Sequence, residues 1–397
     1  MFFITLLVLA QPYNLNAPGS TAPSKTAFGA ALTAQETTAV ALSFPYNFID
    51  PIVVVTAVDG GTITVDGGHA ILSADGTGYA DLRSRVAARY IPGQGMSTRF
   101  TFVSSGCRAG QEFEVGAGDD VDQFAFGCCP SCGVDGGPSF GVLRKSNFVD
   151  DWTPVERWNG AWGRTPPDIT KGRPYQIAWQ WLGYGQITYS IEDAKTGEFV
   201  VAHAIRYAGT ATETSISNPT LPVHAHLLNS GADAGSVLRV PSMAMIRQGE
   251  EPNLGVRRSF QASRSVSTTE KQVLAIRNNA TINGKVNRSM VRLDSISLYA
   301  NGAPDIIWRI RLTPTQSGSG YAHVSTYSLA YFDTDGGTVP GSGYEWFSGV
   351  QAGNTSSTID LTGMDMKLAP GDIISVTGQS GSATPDLRVA ITWREEL

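Results

Sequence analysis

Apolar and polar residues alternate with a period of two along most of this chain. The stretch from Tyr175 to Tyr207, YQIAWQWLGYGQITYSIEDAKTGEFVVAHAIRY, shows the pattern most fully. Tyr175, Ile177, Trp179 and Trp181 share one parity against Gln176, Ala178 and Gln180, as in a half-buried β-strand. Gly183 and Gly185 turn the chain, and Ile187, Tyr189 and Ile191 resume the apolar parity. After the turn signal DAKTG, Phe199, Val201, Ile205 and Tyr207 carry it a third time. The pattern predicts a three-stranded meander with an aromatic inner face.

Similar segments precede it (TTAVALSF, PIVVVTAV, GTITVD, ADLRSRVAARYI, MSTRFTFVSS, DQFAFG) and follow it (LPVHAHLL, GSVLRVPSMAMI). In ADLRSRVAARY the residues Leu82, Val86, Ala88 and Tyr90 oppose Arg83, Arg85 and Arg89, so the arginines are expected on a solvated face. The Gly-, Pro- and Asp-rich segment from Gly133 to Asp168 reads as an extended loop carrying Trp152, Trp158 and Trp162. Around residues 249–262 periodicity lapses into charged and Gly/Pro residues, the composition of a linker. Beyond it seven or eight further strands are expected. Ile306, Trp308, Ile310 and Leu312 share one face there, as do Leu387, Val389, Ile391 and Trp393. The predicted fold is all-β: two antiparallel, jelly-roll-like β-sandwich domains, over 29–248 and 263–397, the first of concanavalin type, behind an extended apolar arm over 1–28.

A length of 397 residues suits two domains of about 100 to 250 residues each. A net charge of -6 and the lack of a basic stripe remove any general attraction to nucleic acid, so none is expected as a partner. The opening run MFFITLLVLA falls short of the roughly 20 residues that span a bilayer, so no membrane span is expected. No Lys or Arg precedes it as in a secretory leader. It is read as a docking arm whose Phe2, Phe3, Ile4, Leu6, Leu7 and Leu9 bury against a neighbouring subunit or particle surface, with a terminal strand of its own domain as the alternative.

Few residues offer chemistry. Cys107, Cys128, Cys129 and Cys132 admit a zinc site, one or two disulfides, or free thiols. Glu112 and Glu114 share a strand face, yet the ExDxxE spacing of sandwich glycoside hydrolases needs Asp at position 114 and Glu at position 117, where Glu and Ala stand. Asp119, Asp120 and Asp122 lack the ligand spacing of an EF-hand. His203 falls on the apolar parity of its strand and is expected as a hydrogen-bonded core histidine, while His224 and His226 share a face and amount to half a metal site. There is no HExxH, GxSxG or GxxxxGK[ST] motif. The expectation is a protein without catalytic residues, cofactor or metal. Trp152, Trp158 and Trp162 are the candidate glycan-binding residues, because flat rings beside Asp and Asn suit sugar stacking, although such rings also pin loops to their own domain.

The runs RVAARYIPGQGMSTRFTFV, DQFAFG, FGVLRKS, the Tyr175 meander and SNPTLPVHAHLLN together resemble a domain of tailed-bacteriophage virion proteins. QVLAIRNNATINGKVNRSMVRLDSISL and LAPGDIISVTGQSGSATPDLRVAITWREEL resemble a second such module. The resemblance implies a structural protein on the particle exterior, as a capsid fibre or decoration protein, a tail fibre or a baseplate element. It implies a homo-oligomer, a trimer foremost, that contacts other virion proteins. A host-glycan receptor-binding role is the alternative, and a polysaccharide-degrading spike a third. The GCCPSCG insertion departs from the family pattern.

Overall fold

The structure, a computed structural model, describes residues 35–48, 52–231, 235–250, 255–302 and 304–396. The arm residues Phe2, Phe3, Ile4, Leu6, Leu7 and Leu9 lie outside them. Among the described residues no helix is long and apolar enough to cross a membrane. The chain is all-β and divides into two compact units, one built from residues up to Ser84 and Tyr90–Glu250, the other from Arg85–Arg89 and the residues after Glu250.

In the first unit two antiparallel sheets enclose the core. The seven-stranded sheet runs β10 (Val149–Pro154), β9 (Ser139–Ser146), β8 (Gln123–Cys129), β7 (Gln111–Gly118), β14 (Val223–Asn229), β5 (Tyr79–Ser84), β2 (Val53–Val58). The eight-stranded sheet runs β13 (Phe199–Ile205), β12 (Ile187–Glu192), β11 (Arg173–Trp179), β6 (Met96–Ser104), β15 (Ser236–Gln248), β4 (His69–Ala74), β3 (Gly61–Asp66), with β1 (Glu36–Ser43) on the other half of β15. Inward-facing rings from both sheets fill the space between: Tyr175 stacks on Phe102 at 4.5 Å, and Phe126 lies 5.0 Å from Tyr175 and 5.6 Å from Tyr189. Each buried ring of this size contributes about 1.5 to 3 kcal/mol before ordering costs.

The meander is present as β11, β12 and β13, with Tyr175, Ile177, Trp179, Ile187, Tyr189 and Ile191 buried. Its third strand differs from the expected parity. The ladder shifts between Tyr189 and Ser190, where Ala202 is the extra residue, so Val200 rather than Val201 stands opposite Ile191 while Ile205 stays opposite Ile187. A bulge adds one residue, and one residue reverses every face beyond it.

Three further departures concern segment type. The supposed loop around Trp152 is largely a hairpin, β9 and β10, turned at Asn147 and Phe148, which both carry positive φ. Asn favours that conformation and Phe does not, so the turn has only half of the usual Asn-Gly signature. Strand β5 stops at Ser84, and Arg85, which belongs to the second unit, makes a two-oxygen pair with Asp372 within that unit (2.8 and 3.1 Å from Nε) instead of facing solvent. Within the presumed linker, Val256–Ser265 forms a strand against Asp386–Glu396, with Phe260 and Ala262 packed on the core. Arginines on both parities, Arg257 on one and Arg258 and Arg264 on the other, hid its alternation.

The second unit is also a sandwich. One sheet orders Val256–Ser265, Asp386–Glu396, Met290–Asn301 and Ser356–Asp360; the other centres on Lys271–Asn278, Ile373–Ser380 and Ile306–Leu312. Leu387, Val389, Ile391 and Trp393 are buried as expected, with Ile306, Ile310 and Leu312 facing them in one core.

Candidate functional site

On β7 the residues Phe113, Val115 and Ala117 point into the core, which sends Glu112 and Glu114 to the outer face of the seven-stranded sheet. The same alternation on β14 sends out His224 and His226, and on β5 Tyr79, Asp81 and Arg83. Register then assembles them: His226 stands directly between Glu114 and Asp81, and His224 between Gly116 and Arg83.

The result is a chain of alternating acidic and basic side chains. His224 Nε2 meets Asp81 Oδ1 at 2.5 Å, and Arg83 Nε lies 3.4 Å from Asp81 Oδ2. His226 reaches Glu114 through Nδ1 at 3.4 Å and Glu112 through Nε2 at 3.7 Å. Asp81, His224, His226 and Glu114 are all buried, and Nδ1 of His224 has no hydrogen-bond partner. Burial opposes charge on Glu114, Asp81, His226 and Glu112, and the neighbours prevail at the first three. Burial alone would raise the Glu114 carboxyl, but the charge and hydrogen bond of His226 hold it at about 2. Asp81 is likewise lowered by His224 and Arg83 against its burial. Burial would lower His226, and Glu114 and Glu112 raise it instead. Glu112 is raised, mainly by burial.

Chemically the cluster is already internally paired, since each acid has a basic side chain as its partner. Among the described residues no group of three or more His, Cys, Asp or Glu side chains is disposed to hold a metal. His224 and His226 do share a face as expected, but their partners are carboxylates. Asp81 and Tyr79 were not singled out in the sequence; the only signal was the polar parity of Asp81 and Arg83, which gains meaning once β5 is known to lie beside β14.

The three candidate tryptophans go to three places. Trp158 is 1% exposed and packs against Phe126 and Phe140 in the core, so it cannot meet a glycan. The 3-10 turn Val155–Arg157 drives it inward, with its Nε1 donating to the Thr153 carbonyl. Trp162 sits against β13, its backbone N–H on Val201, its ring under the Arg173 guanidinium at 5.2 Å, beside a 270 Å³ pocket. Trp152 is on β10, half-buried, its ring lying across Gly141; a Cβ there would come within 2.9 Å of the ring. The next outward pair along this hairpin is Lys145 and Asp150, 3.3 Å apart.

The remaining candidates are structural. Cys107 pairs with Cys128 and Cys129 with Cys132, because neighbouring strand residues face opposite ways. Asp119 caps the N–H groups of Val121 and Asp122, and Asp122 accepts from Asn147 and Ser217, so both carboxylates are spent on turns. His203 is buried with Nδ1 lacking a hydrogen-bond partner, unlike the hydrogen-bonded core residue expected, and burial lowers its pKa.

No protein-family model and no curated protein matches the chain. Solved structures with partial overlap include the Emp47p carbohydrate recognition domain (7% identity, 53% of this chain and 96% of that one, TM-score 0.36). A peanut lectin solved with a nine-residue peptide (10%, 54% and 98%, 0.35) and a Lotus tetragonolobus seed lectin (11%, 54% and 100%, 0.35) overlap similarly. Overlap at this level gives no residue correspondence.

Proposed function

We propose that this chain is a non-enzymatic structural protein on the exterior of a tailed-phage particle, assembled as a homo-oligomer, and that its first unit offers Trp152 to a surface glycan. The virion reading is supported by the family resemblance of the strand segments in both units. The glycan reading is carried by one observation: a partly exposed indole laid across a glycine, beside the Lys145–Asp150 pair. A flat apolar face next to polar groups is what a pyranose ring requires. The internally paired acid–histidine cluster supports a non-catalytic role, because Glu114 is buried and already paired.

Mass spectrometry of purified particles, with imaging of particles carrying a labelled chain, tests the first part; absence of the chain from them would overturn it. Deleting residues 1–10 should prevent incorporation while both units stay folded, and normal incorporation would refute the docking arm. Glycan-array binding lost in Trp152→Ala but kept in Trp162→Ala would support the second part, and array binding unchanged by Trp152→Ala would refute it.

A further inference from the structure

The second unit carries a cleft that neither the virion reading nor Trp152 explains. It opens on the outer face of the sheet formed by Val256–Ser265, Asp386–Glu396, Met290–Asn301 and Ser356–Asp360, with a volume of about 570 Å³. Register explains its shape. One row across the four strands reads Ser263, Arg388, Tyr299, Ser356, and the next reads Gln261, Ala390, Ser297, Thr358. Two large side chains, Arg388 and Tyr299, thus stand beside a row whose two central members are Ala390 and Ser297, and the small residues form the floor.

The lining has a specific chemistry. The Arg388 guanidinium lies 5.7 Å from the centre of the Tyr299 ring, which holds it over the cleft. Arg388 is exposed, and among the described residues no carboxylate pairs with it, whereas Arg257, Arg258, Arg292 and Arg394 of the same sheet all have acid partners. Ser297 Oγ and Thr358 Oγ1 are 3.0 Å apart, so one hydroxyl hydrogen serves their mutual bond and the other is left for a ligand. Ser263 and Ser356 add hydroxyls at the two ends of the Arg388 row.

We propose that this cleft binds a carboxylated saccharide. Arg388 would take the carboxylate through its planar fork, the serine and threonine hydroxyls the sugar hydroxyls, and Tyr299 one face of the ring. A volume in the range of small-ligand sites suits a mono- or disaccharide. The site is separate from Trp152 and does not depend on it.

The test is saturation-transfer NMR and calorimetry on the full chain with glucuronic, galacturonic and sialyl oligosaccharides beside their neutral counterparts. Binding of a carboxylated sugar is expected, weakened at least about tenfold in Arg388→Gln and blocked by Ala390→Leu, which fills the floor. Near-UV circular dichroism of both variants shows that they fold, and Ser263→Ala serves as a milder second variant if Ala390→Leu does not. The measurements are made in the Trp152→Ala background as well as on the wild-type chain, so that sugar held by the first unit is separated from binding at Arg388. Equal binding of the neutral counterparts, retention of binding in Arg388→Gln, or equal occupation by acetate or inorganic phosphate alone would each overturn the proposal, as would no binding at millimolar sugar.

Discussion

Replacing Glu114 by Gln removes the closest counter-charge of His226 without changing the shape of the side chain. Its carboxyl, ordinarily near 4.5, is held at about 2 in the folded protein, which corresponds to about 3 kcal/mol of stability at neutral pH. Because the folded value is depressed, that contribution is present above pH 4.5 and disappears as pH falls through about 2. His226 acts in the opposite sense. Its folded value is raised above the ordinary 6.5, so its contribution is complete below pH 6.5 and is lost as pH rises through the raised value. Urea denaturation of the wild-type protein and Glu114→Gln from pH 2 to 8, at fixed ionic strength, measures the difference; subtracting one from the other cancels the pH response of the second unit. The expected difference is about 3 kcal/mol near pH 6, shrinking toward zero near pH 2, with a lowered His226 titration by imidazole NMR. A difference that is absent at pH 6, or that does not change with pH, would refute the reasoning.

Trp158→Ala should cost about 3 to 5 kcal/mol of stability by opening a cavity among Phe126 and Phe140, whereas Trp152→Ala should cost far less; melting temperatures rank the two. Gly141→Ala sets its Cβ 2.5 Å from the Thr153 carbonyl oxygen and 2.9 Å from the Trp152 ring, so it should strain the β9–β10 hairpin as well as displace the ring, read as a lower melting temperature with a change in indole fluorescence. Replacing Cys107 and Cys128 by Ala frees a loop with a separation of 21 residues and should cost about 3 kcal/mol, against about 2 for Cys129 and Cys132 with a separation of 3, as read from denaturation midpoints. Asp122→Ala leaves the N–H groups of Asn147 and Ser217 without their carboxylate and should speed amide exchange at both, with a loss of about 1 to 3 kcal/mol.

Which side chains face inward was legible wherever alternation ran unbroken. Leu387 to Trp393 and Tyr175 to Trp179 are buried on the expected parity, because a strand's faces are set by covalent geometry alone. That information is local, and it failed where one residue interrupts the ladder, as at Ala202, or where charge falls on both parities, as in Val256–Ser265. The pairing of strands distant in the sequence was not legible, unlike that of the consecutive strands of the meander. Glu114 and His226 lie 112 positions apart in the sequence and become a buried ion pair only because β7 and β14 are adjacent in one register; a slip of one residue would turn both carboxylates of β7 into the core. The cleft at Arg388 depends in the same way on four strands drawn from positions 256 to 396. The sequence by itself determined an all-β chain and the face of most side chains, since these follow from a two-residue period. Tertiary structure decided which faces meet, sent the three tryptophans apart, and gave the histidines their carboxylates, because long-range pairing has no local signature in the chain.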